Sequence, residues 1–202
     1  MKLYYTPGAC SLSPHIALRE SGLSFELERV NLQEKKTQVG ADYKAINPKG
    51  YVPALALDDG TLITEGAVIV QYVADRSPDA KLAPPAGTIE RLRLQEWLNF
   101  IATELHKGFG PVNNPKANDA IKEFYKDRLV ARFGVLGAAL SGHDYLVGDR
   151  FTVADGYAYY TLRNWRKLVG PEFGDHAPLR AYFDRIGHRE SVQAALAAEG
   201  LS

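Results

Sequence analysis

The chain has one cysteine, Cys10, in the turn after its first apolar run and four residues before Pro14. A free cysteine is commonly a small buried hydrophobe. A thiol between a strand and a helix start, however, lies near unpaired backbone N–H groups and the positive end of the helix dipole. Both favour an anion and lower the thiol pKa. The position therefore implies a thiol that reacts or that binds something reactive, with plain packing as the alternative. Position 13 is serine, so two-thiol exchange within a Cys-x-x-Cys pair is excluded, and one-thiol chemistry with an external thiol stays open. A lone cysteine also excludes an internal disulfide and a cysteine-based zinc site.

A second constellation runs from Asn47 to Leu55 and on to Thr64-Glu65-Gly66-Ala67. Pro53 stands at the mouth of a strand and cannot donate to a ladder, which leaves the backbone at Val52 open to an extended peptide. Glu65 falls where a strand becomes a helix. The N–H groups of Gly66 and Ala67 can hold a ligand carboxylate there while Glu65 pairs with an ammonium, so one end of an amino acid fits both. A turn proline and a glutamate that only complements the helix dipole are the plainer readings. A third group lies on the long helix beginning near Thr88. Leu94, Trp97, Leu98, Ile101 and Leu105 share one side at 100° per residue, and Asn99, Thr103 and His106 share the other. Such a polar stripe can meet a ligand held by the first half of the chain, with His106 donating to, or taking a proton from, a thiol. A solvated helix face is the alternative. His15, His143, His176 and His188 have no partner cluster in the sequence and read as structural or exposed.

The elements that must position these groups change character along the chain. Leu3-Tyr4-Tyr5 reads as a strand, Ser13-Pro14 opens a helix that stops at Gly22, and Phe25 to Val30 alternates as a second strand. A helical or irregular stretch with Lys35 and Lys36 follows. Val52 to Leu57, Asp58-Asp59-Gly60 and Thr61 to Ile63 read as a hairpin, and Glu65 to Asp75 as a helix. The order is βαβαββα. Three prolines and little periodicity between Ser77 and Gly87 mark a linker. Beyond it the pattern is helical: a helix from Thr88, a second with Ile121, Phe124, Phe133, Leu136 and Leu140, and a third opening at Thr152-Val153-Ala154-Asp155, a capping-box signature.

Lys plus Arg equals 24 and Asp plus Glu equals 24, so the net positive field of a nucleic-acid binder is missing. No apolar run approaches the roughly 20 residues needed to span a bilayer, and no signal peptide precedes the first strand. The expectation is a cytoplasmic protein with neither nucleic-acid nor membrane partners.

Together these segments resemble the glutathione S-transferases, over the whole chain. Tyr5-Thr6-Pro7-Gly8-Ala9-Cys10-Ser11-Leu12 is similar to the N-terminus of the bacterial beta class, with cysteine where other classes use tyrosine or serine. Asn47 to Leu55 resembles the segment bearing the family's cis-proline, here Pro53. Trp97 to Lys107 resembles the first long helix of that class, and Thr152 to Asp155 its buried capping box. The resemblance implies an α/β plus all-α fold: a thioredoxin-like glutathione-binding domain over 1–80, a linker over 81–87 and an all-helical domain over 88–202. It implies conjugation of the glutathione thiolate to small electrophilic apolar compounds, in detoxification, by a homodimer with glutathione as co-substrate and no metal.

Carried over position by position, Cys10 lies beside the glutathione sulfur, with Ser11 and His106 stabilising or deprotonating it. Val52, before Pro53, exchanges backbone bonds with the cysteinyl unit. Glu65 and Gly66 hold the γ-glutamyl end, and Lys35, Asn99, Thr103, Glu104, His106 and Lys107 line the rest. Gly66 departs from the family's usual serine and offers only its N–H, which implies weaker capture of that end. Phe109 and Trp165 are the expected pocket wall for the electrophile, and Tyr5 is structural. Two rival readings share these residues: a glutathione-dependent thiol-disulfide reductase working through a mixed disulfide on Cys10, and a non-catalytic ligand-binding member of the fold.

Overall fold

The computed structural model describes residues 1–170, 172–173 and 176–201. Its contacts divide the chain into a first unit of residues 1–83 with 188–202 and a second of 84–187.

In the first unit, β1 (Lys2–Tyr5), α1 (Leu12–Ser21), β2 (Glu26–Asn31), β3 (Lys36–Thr37), α2 (Tyr43–Ile46), β4 (Ala54–Ala56), β5 (Leu62–Thr64) and α3 (Gly66–Arg76) follow one another. The sheet order is β3-β2-β1-β4-β5. β1 pairs parallel to β2, Leu3 opposite Leu27, and antiparallel to β4, Leu3 opposite Leu55. Leu3, Leu55, Leu12, Ile16 and Leu18 of the sheet and α1, with Ile69, Val70 and Val73 of α3, are fully buried. Burying each such side chain contributes on the order of 2 kcal/mol, which is what holds α1 and α3 to the sheet. The β4–β5 turn closes through the Leu57 N–H to the Thr61 carbonyl, 2.8 Å, with Gly60 at φ 86°. β3 is an addition to the expected order, too short to carry a period-two signal.

The second unit begins with α4 (Ile89–Phe100), capped by Thr88, whose hydroxyl oxygen accepts from the Arg91 N–H. The helix expected to continue to Lys107 changes at Ile101–His106 into a π-helical turn, closed by the Lys107 N–H on the Ala102 carbonyl. Then come α5 (Phe109–Asn113), α6 (Asp119–Ala139), α7 (Val153–Val169) and α8 (Ala177–Gly187). Between the π turn and α5, Gly108 passes so close to α6 that a β-carbon there would meet Leu129 Cδ2 at 2.7 Å. The core is aromatic: Phe133 stacks on Trp165 at 4.7 Å and 15°, and Phe109 tilts against Phe133 at 6.1 Å.

The last helix, α9 (Glu190–Glu199), departs from the expected division. It belongs to the first unit and packs on α1. Glu199, with a fully buried side chain, explains the return: its Oε2 accepts from the Gly8 N–H at 2.9 Å, and its Oε1 lies 2.9 Å from His15 Nδ1. Arg19 Nε donates to His15 Nε2 at 3.1 Å. A buried carboxylate needs such partners, and they lie on α1 and in the turn that carries Cys10. Glu20 is similarly held by Arg189, in a bidentate pair at 2.6 and 2.9 Å.

Candidate functional site

Cys10 and Ser11 form the end of the turn between β1 and α1. α1 begins at Leu12, so Cys10 stands outside the helix. Its thiol donates to the Val52 carbonyl at 3.2 Å. The expected lowering of the thiol pKa does not occur. Burial raises it to about 11, and the backbone N–H groups of Cys10 and Ser11 offset only part of that, while the charge on Glu65 adds to the rise. Desolvation of the thiolate outweighs the helix start. The Ser11 hydroxyl is not directed to the sulfur either: fully buried, it accepts from the Thr6 N–H and donates to the Thr6 carbonyl, both at 3.2 Å, and so braces the turn. Only about one Cys10 thiol in a thousand is ionised at pH 8 on these terms. Alkylation by iodoacetamide is therefore expected to speed up about tenfold per pH unit from pH 8 to 10. A rate that levels off near pH 8 would contradict the half-buried, hydrogen-bonded thiol.

The Val52–Pro53 bond is cis, and both residues are buried. The carbonyl of Val52 already holds Cys10, so of the two backbone groups expected to meet a peptide only its N–H is without a partner among the described residues. Lys35 Nζ donates to the Gly50 carbonyl at 2.8 Å, on the loop before Val52. Glu65, at φ 69°, ends the segment after β5 and opens α3, with its carbonyl accepting from Val68 and Ile69. The first N–H groups of that helix, at Gly66 and Ala67, have no intrahelical acceptor. Gly66 is not required for space, since a β-carbon there would make ordinary contact with Pro53 Cγ at 3.7 Å. The Glu65 carboxylate is engaged by a residue the sequence reading passed over: Lys49 Nζ lies 2.5 Å from Glu65 Oε1 and 2.9 Å from Thr64 Oγ1. Sixteen residues separate the pair, so no local spacing could have announced it.

The remaining candidates lie in the second unit. Asn99 is exposed on α4, and its carbonyl accepts from the Thr103 hydroxyl at 2.9 Å. Glu104 is taken up by two arginines of α6, Arg132 Nε at 2.7 Å and Arg128 Nη2 at 3.0 Å, which hold its carboxyl below the usual range. Lys107 is exposed. His106 Nδ1 lies 2.9 Å from the Tyr157 hydroxyl. Burial, assisted by the positive charge of Lys107, lowers the His106 pKa to about 4, so the imidazole is neutral near pH 7. The 100° spacing that put Asn99, Thr103 and His106 on one stripe presumed an unbroken α-helix, and the π turn re-aims the residues after Phe100. Phe109 and Trp165, expected as a pocket wall, are 4% and 1% exposed and belong to the aromatic core around Phe133. Both are core residues because their rings pack against Phe133 of α6.

The family's N-terminal domain pattern matches residues 8–76 and its C-terminal domain pattern residues 100–190, each described as that domain of a glutathione S-transferase. A curated relative, Glutathione S-transferase GstA of Escherichia coli O157:H7, is 47% identical over 201 residues, covering both chains in full. The chain belongs to the glutathione S-transferase family. Bacterial members of the family are among its similar relatives. The solved ternary complex of BphK, a bacterial GST, is 53% identical with a TM-score of 0.96 over the whole of both chains. A bacterial beta class glutathione S-transferase of Sphingomonas chungbukensis is 44% identical with a TM-score of 0.94, again over both chains in full. The thioredoxin-like first part and the helical second part of this transferase are those of the family. Among its described residues no cluster of three His, Cys, Asp or Glu side chains could hold a metal ion, and no helix is long and apolar enough to cross a membrane.

Proposed function

We propose that this transferase binds glutathione as its thiolate and joins the sulfur to an electrophilic carbon of a small apolar compound, a detoxifying reaction in the cytoplasm. The sulfur lone pair forms the C–S bond, the leaving group departs with its bonding pair, and the thiol proton goes to solvent. The observation that carries the reading is the row of groups in the first unit: the Cys10 thiol on the Val52 carbonyl, the Val52 N–H beside it, without a partner among the described residues, and the start of α3 at Glu65. An extended tripeptide matches that row, its cysteinyl unit on the Val52 N–H and its γ-glutamyl ammonium on Glu65, with the carboxylate on the Gly66 N–H. Lys35, on the loop side of Val52, supplies a cation for the other carboxylate. Large apolar side chains left in water, Tyr51 and Val68 in the first unit and Ile89, Leu92 and Phe124 in the second, support a homodimer that covers them.

A thiol with its pKa near 11 is a weak attacking group at neutral pH, which favours assistance by Cys10 over disulfide exchange through it. Conjugation of glutathione to a chlorodinitrobenzene by the wild type and by Cys10→Ala, run beside intact-protein mass spectrometry, tests this. Saturable turnover that survives in Cys10→Ala is the expected result. No conjugation together with a reducible glutathione adduct on Cys10 would make the protein a reductase instead.

A further inference from the structure

Three successive carbonyls of the loop before Pro53 are each taken by side chains of the first unit. Lys35 Nζ donates to that of Gly50 at 2.8 Å, and the Cys10 thiol to that of Val52 at 3.2 Å. The Tyr51 carbonyl between them takes two donors, the Tyr43 hydroxyl at 3.1 Å and Asn47 Nδ2 at 2.8 Å. A carbonyl oxygen has two lone pairs, so this one is saturated.

The two donors are placed by α2, which opens at Tyr43 and is followed at once by Asn47, whose N–H closes the turn on the Tyr43 carbonyl at 2.8 Å. Residues four apart on a helical turn share one face, so both side chains reach one oxygen. Tyr43 is fully buried, with its ring 5.6 Å from that of Tyr4 and packed with Val30 and Val52. Burial raises its pKa above the ordinary phenol value, so the hydroxyl keeps the proton it donates. Asn47 is 1% exposed, and its amide can face only one way: Oδ1 accepts from the Lys49 N–H at 3.2 Å, which leaves Nδ2 for the Tyr51 carbonyl.

The consequence lies on the other side of the same peptide. The Tyr51–Val52 bond is trans, so its carbonyl and its N–H lie in one plane and point in opposite directions. Two buried donors on the carbonyl therefore aim the Val52 N–H away from Tyr43 and Asn47, and that N–H has no partner among the described residues. Turning it would break both hydrogen bonds at once. We infer that Tyr43 and Asn47 are positioning residues for the ligand: by clamping the Tyr51 carbonyl they fix the direction of the Val52 N–H and so pre-set the edge that takes the cysteinyl unit of glutathione. A donor fixed before the ligand arrives need not be ordered by it, which strengthens binding. This rests on the reading of Val52 as the docking edge.

Hydrogen exchange of the Val52 amide, followed by NMR on the full chain with and without glutathione, tests both steps. In the wild type, saturating glutathione is expected to slow that exchange by roughly tenfold or more, the worth of about one hydrogen bond. Tyr43→Phe keeps the buried ring and removes only the hydroxyl, and Asn47→Ala removes the other donor. In each, the glutathione Kd is expected to rise roughly three- to tenfold, with kcat for conjugation within about twofold of the wild type and the protection of Val52 reduced. If glutathione does not protect Val52 in the wild type, the docking reading of that residue has failed and the clamp with it. If it does, and folded Tyr43→Phe and Asn47→Ala bind and protect as the wild type does, the failure is confined to the clamp. A kcat that falls as far as the Kd rises would give the two residues a general structural part and also overturn the inference.

Discussion

Asp155→Ala is expected to destabilise the second unit by on the order of 4 kcal/mol, enough to unfold a marginal domain. The Asp155 side chain is fully buried at the start of α7 and accepts from four donors: the Thr152 N–H at 2.7 Å, the Thr152 hydroxyl at 3.0 Å, the Leu146 N–H at 3.0 Å and the Tyr182 hydroxyl at 2.7 Å. Alanine leaves all four without an acceptor. Two of them lie on other segments, the loop before α7 and helix α8, so the carboxylate ties three parts of the chain together as well as capping one helix. Both tryptophans, Trp97 and Trp165, lie in this unit, so a urea transition followed by tryptophan fluorescence reads it directly. A loss under about 1 kcal/mol would show that relaxation or water replaces the carboxylate, and that the capping box is a local feature only.

Glu65→Ala is expected to weaken glutathione binding by roughly 10- to 100-fold, the worth of one charge-assisted hydrogen bond to the ammonium. Lys49 sharpens the effect. With Glu65 present it is that residue's counter-ion, and with Glu65 gone it is an uncompensated cation where the ligand brings its own. Alanine at 65 keeps the burden of a non-glycine residue at φ 69°, so the backbone cost is shared by both proteins. Calorimetric titration with glutathione and with its N-acetyl derivative isolates the ammonium: the wild type should prefer glutathione strongly, and Glu65→Ala should prefer neither. Equal preference in the wild type would remove Glu65 from the ammonium site.

Much of the fold is legible in local sequence because it is made by local rules. Asp58-Asp59-Gly60 turns a hairpin, Gly22 at φ 68° stops α1, and Thr152 with Asp155 caps α7, each within a few residues. The strand β2 and the helix α3 follow from periods of 2 and 3.6 in the same way. Cys10, Val52 and Glu65 stand out for the same reason, as odd residue types at element boundaries.

What the sequence by itself determined is the order of the main strands and helices of the first unit, the helical character of the second, and the residue types offered at the β1–α1 turn, the cis-proline loop and the start of α3. Only the tertiary structure decided what those groups are. Burial took Cys10 from a lowered to a raised thiol and gave the Ser11 hydroxyl to the turn. It also put Phe109 and Trp165 in a core. Partners 16 and 51 residues away engage Glu65, through Lys49, and His106, through Tyr157. The last acid of an alanine-rich helix, Glu199, became the anchor of the Cys10 turn from 191 residues away. Desolvation and pairing between distant residues depend on how the whole chain packs, and no local period or motif encodes them.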